Sequence, residues 1–172
     1  MTDLDLIETE RLVLSGWRMD QLGDLMRLHG DARVARYLRS GGLVWTEAEC
    51  RAALSHWITL FETQQLGKLR ITRKSDGVLV GRAGFGLYPP TGEPEIGYSL
   101  FPEHWGKGYA TEAATALCGW AFSMAGYARI IGFADVRNAA SIKILRRLGL
   151  KDTHQGIYNR QPCQFLALER PQ

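Results

Sequence analysis

The stretch Pro102-Glu103-His104-Trp105-Gly106-Lys107-Gly108-Tyr109 constrains this chain most, because it ends a β-rich run and opens a helical one. Before it, Glu95–Phe101 (EIGYSLF) reads as a strand. After it, Tyr109, Ala113, Leu117, Trp120 and Met124 recur at helical spacing, and Gly126 closes the pattern. Two glycines one residue apart let the backbone turn tightly with no Cβ in the way. Several N–H groups can then converge at the positive end of the following helix, which suits a pyrophosphate. A chain built around such a joint must mix strands and helices in one layered unit.

The spacing excludes the commonest phosphate loops. No GxxxxGK[ST] is present, which disfavours a nucleotide triphosphatase. A dinucleotide fold needs a third glycine, and Gly108 is followed by Tyr109, Ala110 and Thr111 instead. Taken alone, the two glycines are also compatible with a plain strand-end turn.

The rest of the chain supplies elements around this joint. Residues 10–17 read as a strand, and Leu22, Leu25, Met26 and Leu28 as a helix stopped by Gly30. A short helical stretch over 34–38 follows. Thr46 and Glu49 form a capping-box pattern ahead of a helix running to about Gln64. Ser75-Asp76-Gly77 separates two β-rich runs and predicts a hairpin. Residues 128–136 read as a buried strand, 141–149 as a helix and 163–169 as a final strand, giving a mixed α/β order. The length of 172 residues suits one domain spanning 1–172.

A net charge of +3 without a clustered basic run argues against a nucleic-acid partner. Three scattered cysteines and four scattered histidines, with no CxxC, argue against a disulfide framework or a metal site. No apolar run approaches membrane-spanning length and the first residues lack a signal core, so a reducing cytoplasmic location is expected.

The joint also carries a family resemblance. Trp105-Gly106-Lys107-Gly108-Tyr109-Ala110 resembles the acetyl-CoA loop of the GNAT (GCN5-related N-acetyltransferase) superfamily, Q/R-x-x-G-x-G/A. Trp105 replaces the usual Gln or Arg, as in the ribosomal-protein N-acetyltransferase (RimJ/RimL-like) branch with its P-x-x-W-G-K-G-Y-A-T-E-A stretch. Asn138-Ala139-Ala140-Ser141 with Leu145, Leu148 and Gly149 resembles a second family element, and Thr9-Glu10-Arg11-Leu12-Val13-Leu14 the branch's first strand. The resemblance implies an α/β (α+β) GNAT fold. Its mixed, mostly antiparallel sheet of about seven strands would splay at the cofactor site, with helices on both faces.

It further implies an acyl-CoA-dependent N-acyltransferase using acetyl-CoA. Ser99, Leu100 and Phe101 would meet the pantetheine arm. The amides of Trp105, Gly106, Lys107, Gly108, Tyr109 and Ala110 would hold the pyrophosphate, with Thr111 at the helix start. Asn138 and Ser141 would face the arm from the next helix, and Asn138 also reads as an N-cap. The side chains of Trp105 and Tyr109 read as structural, with Trp105 packed under the loop. A backbone amide of the splayed strand, Leu100 first, would stabilise the carbonyl oxygen.

Moving an acetyl group from a thioester to an amine requires a neutral amine, a stabilised carbonyl oxygen and a proton for the thiolate. A lysine amine is neutral to only about 0.1% or less at pH 7, and an α-amine to about a tenth, given ordinary pKa values near 10.4 and 7.7–8.0. Glu95 is the candidate base, with Glu103 and Glu112 weaker; Glu112 is expected to support the helix start electrostatically. Where relatives carry a tyrosine acid this chain has Leu145, which promotes Ser141 as the donor to the thiolate. Acceptor choice is assigned to loops over Ala32–Trp45 and Thr153–Pro162. The resemblance points to a peptide or protein N-terminal α-amine. A small amine such as a polyamine, amino acid or antibiotic is the alternative, and a CoA-binding module without chemistry a further one. A homodimer is compatible with this reading.

Overall fold

The computed structural model describes residues 4–172. Eight strands form one sheet in the order β1-β2-β3-β4-β5-β6-β8-β7. They are β1 (Asp5–Glu8), β2 (Leu12–Ser15), β3 (Gly67–Arg73), β4 (Leu79–Leu87), β5 (Pro94–Leu100), β6 (Arg129–Asp135), β7 (Lys151–Tyr158) and β8 (Gln161–Glu169). The helices are α1 (Leu22–His29), α2 (Ala32–Ala35), α3 (Glu47–Gln64), α4 (Tyr109–Ser123) and α5 (Ala139–Arg147).

The sheet has one strand more than the sequence suggested. β1 is a short edge strand, and β7 occupies Lys151–Tyr158, where the sequence suggested an acceptor loop from Thr153. That segment has only the turn at Asn159 and Arg160, both with positive φ, before β8 begins.

Every strand pair is antiparallel except β5 with β6. That pair is parallel, and among the described residues it is joined at a single position, Glu95 opposite Ile131. Farther along, the two strands diverge without ladder bonds, which is the splay implied by the resemblance.

The two faces of the central strands differ sharply. Cross-strand partners share a face, so Leu69, Ala83 and Tyr98 lie together, as do Ile71, Gly81 and Leu100. The apolar stripe of α4 covers this face: Tyr109, Ala113, Leu117, Cys118 and Ala121 are buried in one cluster with Leu69, Ile71 and Ala83. On the opposite face lie Arg70, Arg82 and Ser99, then Lys68, Gly84 and Gly97, then Glu95. Here α1 supplies polar partners: Arg70 donates to Asp24 at 2.8 Å and Arg82 Nε to His29 Nε2 at 3.0 Å.

Local chemistry explains the helix starts. Thr46 and Glu49 form the expected reciprocal capping box on α3. Asn138 Oδ1 accepts the Ser141 amide at 3.2 Å and caps α5.

Candidate active site

The phosphate-loop candidate sits where β5 ends. A 3-10 turn, Pro102–His104, leads into Trp105, and Gly106 and Gly108 follow with φ of 71° and 80°. Both angles lie in the left-handed region, where a side chain is strained and glycine is not. A Cβ on Gly106 would meet no heavy atom within 4 Å, so that side of the loop is open. Gly108 caps α4 without a side-chain cap, and the amides of Gly108, Tyr109, Ala110 and Thr111 have no acceptor among the described residues. Free donors at a helix start, approachable from an open glycine edge, fit a diphosphate.

The two best-matching sequence segments touch each other. Thr9 Oγ1 donates to Glu112 Oε1 at 2.6 Å, the Arg11 amide to the same oxygen at 2.9 Å, and Arg11 Nε to Glu112 Oε2 at 2.7 Å. Arg11 also donates to the Lys107 carbonyl at 3.0 Å and lies over the Tyr109 ring. Burial works to raise the Glu112 pKa, but the bonds from Thr9 and Arg11 outweigh it and hold the carboxyl below its ordinary value. Glu112 thus fastens the β1–β2 turn to the first turn of α4, a more specific task than the electrostatic support expected of it.

Trp105 differs from the expectation. The residue is 49% exposed and not packed under the loop. Its Nε1 donates to the Leu100 carbonyl at 2.9 Å, tying the loop back to the end of β5. An indole keeps its N–H donor partnered while the ring stays at the surface. Tyr109 is buried in the core as expected, and Lys107 is exposed.

Ser99, Leu100 and Phe101 are all buried at the end of β5, where the gap beside β6 is open. Phe101 packs with Leu28, Val34 and Leu79. Glu95 stands at the other, closed end of that gap.

Glu95 is not alone. Lys68 Nζ lies 3.1 Å from its Oε2, and both side chains are largely buried. Lys68 also donates to the Gly84 carbonyl at 3.1 Å. Burial pushes the Lys68 pKa down and the Glu95 charge works against that shift. Gly97 makes the contact feasible: a Cβ there would come within 2.6 Å of Lys68 Nζ. No sequence signal points to this partner, since Lys68 and Glu95 are far apart in the chain and meet only through the register of β3, β4 and β5.

Ser141 also has a partner that sequence reasoning missed. The Tyr98 hydroxyl donates to the Ser141 carbonyl at 2.8 Å and accepts from Ser141 Oγ at 3.2 Å. Burial raises the Tyr98 pKa well above its ordinary value, so the phenol is protonated at neutral pH. A tyrosine is therefore present beside Ser141 although Leu145 occupies the position where relatives carry one; it comes from β5. Asn138 uses Oδ1 for capping, which leaves its Nδ2 without a partner among the described residues.

Of the residues assigned to acceptor choice, Arg33 is engaged by Asp31, and Arg39 by Glu49 and the carbonyls of Leu43 and Val44. Tyr37 lies between the guanidinium groups of Arg36 and Arg137. Tyr158 joins Tyr88, Phe133 and Phe165 in an aromatic cluster, and His154 stacks on Phe165 at 4.6 Å. Cys50, Cys118 and Cys163 are free and buried, and burial lifts the Cys118 thiol to about 12, which suits a packing role. Among the described residues no cluster could hold a metal ion, and no helix is long and apolar enough to cross a membrane.

Comparison with known proteins agrees with this geometry. The acetyltransferase (GNAT) domain family matches residues 11–151. An uncharacterized N-acetyltransferase, p20 of Bacillus licheniformis, is 28% identical over 149 residues, covering 86% of this chain and 83% of that protein. An acetyltransferase from Agrobacterium tumefaciens superposes with a TM-score of 0.83 at 22% identity, covering 98% of this chain and 96% of that one. RimL, a ribosomal L7/L12 alpha-N-protein acetyltransferase solved with coenzyme A, superposes with a TM-score of 0.80 at 19% identity, covering 96% and 97%. With the open glycine loop, the splayed strands and a family match over most of its length, the chain belongs to the GNAT acetyltransferases and is an acyl-CoA-dependent N-acetyltransferase whose donor is acetyl-CoA.

Proposed function

We propose that this enzyme acetylates an α-amine, as at a peptide or protein N-terminus, by direct transfer from acetyl-CoA bound between β5 and β6. In this reading the amides around Trp105–Ala110, with Thr111, hold the pyrophosphate, and Ser99–Phe101 with Asn138 line the pantetheine arm. The amine nitrogen attacks the thioester carbonyl carbon, a C–N bond forms, and the C–S bond breaks. The nitrogen gives up a proton to Glu95, directly or through water; the departing thiolate takes the Ser141 hydroxyl proton, and the serine oxygen regains one from solvent as Glu95 releases the proton it took. A backbone amide of β5 meets the negative charge that builds on the carbonyl oxygen.

The observation that carries the α-amine is the Lys68–Glu95 pair. The ammonium occupies Oε2 of the carboxylate proposed to take the proton, and an amine that is already about a tenth neutral at pH 7 asks less of such a base than lysine does. The likeness to RimL, an alpha-N-protein acetyltransferase, supports the same choice. The cavity of about 370 Å³ lined by Arg36, Tyr37 and Arg137 has the size for the second reading, a small amine, while its two guanidinium groups disfavour a polycation. The free, buried cysteines support a reducing compartment.

Glu95→Gln tests the base. Turnover, read as CoA thiol release with peptides beginning Ala or Ser, is expected to fall about a hundredfold, the lower end for a lost general base. Acetyl-CoA affinity should hold within twofold. An unchanged rate retires Glu95 as the base, and faster turnover of polyamines than of α-amines overturns the acceptor class.

A further inference from the structure

The face of the sheet that carries Glu95 continues past it as a wall of aromatic rings. Alternation along each strand fixes which residues share that face. Glu95 lies opposite Gly86 on β4 and Ile131 on β6. Tyr88 is two residues beyond Gly86, and Phe133 two residues beyond Ile131. Phe165 is the cross-strand partner of Phe133, and Tyr158 pairs with Gln161, four residues before Phe165. All four rings therefore stand on the side of Glu95, opposite the face that α4 covers. They also touch one another. Ring centroids lie 4.9 Å apart for Phe133 with Tyr158 and for Phe133 with Phe165, 5.4 Å for Tyr88 with Tyr158 and 5.6 Å for Tyr88 with Phe133.

The register sets this wall beside the base. The Tyr88 amide donates to the Glu93 carbonyl at 2.8 Å, so Tyr88 stands two residues before the Glu95–Ile131 rung, and Phe133 stands two residues after it. Backbone positions four residues apart along a strand are separated by about 13 Å. The two rings reach 5.6 Å only by leaning toward each other, so they meet over that rung. The Glu95 charge is felt there too: after burial it is the largest cause that raises the Tyr158 pKa. Lys68, coming across β4, holds one flank of the carboxylate, and the rings, across β6, form the other. Core packing does not account for the rings. None of the four belongs to the three clusters that fill the interior, and Tyr88, Phe133 and Tyr158 are only half-buried. Apolar surface left open beside a reacting group suits the apolar part of a ligand.

We propose that this wall receives the side chain next to the acceptor amine, so the preferred acceptor is an α-amine whose residue carries an aromatic or large aliphatic side chain. The inference rests on the α-amine reading above and names its substrate class. An α-nitrogen and its side chain leave the same carbon, so an amine at Glu95 sends its side chain over the rung where Tyr88 and Phe133 meet. An aromatic side chain gains offset or edge contacts with these rings, whereas a carboxylate would be desolvated against them without a partner. Two sources carry this chemistry: the first residue of a peptide, and a free amino-acid derivative such as an amide.

CoA release at saturating acetyl-CoA tests this in two arms. One arm compares peptides beginning Phe or Leu with peptides beginning Ala or Asp, and the other compares phenylalanine amide with alanine amide. The bulky side chain is expected to be preferred at least about tenfold in kcat/KM in the peptide arm, the free arm or both, which identifies the source. In Tyr158→Ser that ratio should fall toward one, and in Tyr158→Phe it should be retained, while acetyl-CoA binding and the melting temperature confirm a folded protein. Should Tyr158→Ser not fold, Tyr88→Ser reads the same loss from β4. Equal rates for bulky and small side chains in both arms, with α-amines still acetylated, overturn this proposal alone. A preference that neither serine substitution reduces overturns it as well. A dimer that Tyr158→Ser dissociates, with no side-chain preference, overturns it in favour of a second copy of the chain as the occupant. Polyamines as the favoured acceptors instead overturn the α-amine reading beneath it.

Discussion

Tyr98 grips Ser141 twice, donating to its carbonyl and accepting from its hydroxyl. In this arrangement the serine hydroxyl points its proton at the phenol, and in the reaction proposed above it turns from Tyr98 to the thiolate, so the tyrosine would act through the serine. Tyr98→Phe removes both bonds and leaves the ring in place. Its kcat is expected to drop about tenfold, a modest share of a general-acid effect, with the KM for acetyl-CoA unchanged. The stability loss should be about 1–2 kcal/mol by denaturant titration. A rise in KM with unchanged kcat would assign Tyr98 to cofactor binding instead.

At the scale of elements, the loop between β5 and α4 separates backbone strain from ligand contact unusually well. Gly106 has a positive φ but open space on its side-chain side. Gly106→Ala should therefore cost stability only through the left-handed backbone, about 1–2 kcal/mol. Its added methyl points where a phosphate would approach, and acetyl-CoA affinity by calorimetry should fall at least tenfold. A stability loss without an affinity loss would mean that the phosphates bind elsewhere. This loop, α4 and the α3 capping box were legible because their signals are local: glycine spacing, an apolar stripe, Thr46 with Glu49. β7 was not, because Lys151–Tyr158 is an edge strand exposed for most of its length, which leaves no alternation of apolar and polar residues to read. β1 is too short to show a period. Glu95 and Ser141 were proposed from their motifs, whereas their partners Lys68 and Tyr98 were not legible, since register and strand-to-helix packing alone bring them there. The buried Arg82–His29 hydrogen bond was likewise invisible, because a lone arginine in a β-rich run reads as solvent-facing.

For the whole molecule, burial and the adjacent Arg82 charge lower the His29 pKa from 6.5 to about 2. In the unfolded chain His29 takes up a proton as the pH falls through 6.5, while in the folded protein it does so only near 2. Between those limits the unfolded state binds more protons, so stability is full above pH 6.5 and declines as the solution is acidified. The loss attributable to this one residue is about 2 kcal/mol at pH 5. In His29→Gln the pH dependence of unfolding should flatten by that amount between pH 7 and 5; an unaltered slope would show that His29 is protonated in the folded state. The single pairing of Glu95 with Ile131 has a different consequence. It leaves β1–β5 and β6–β8 as two panels of cloth joined by one thread of ladder, so tension across the sheet concentrates there. A pantetheine arm laid in that opening is also a seam stitch: the molecule that supplies the acetyl group would fasten the two panels for as long as it stays, and its departure as CoA would return them to the single thread.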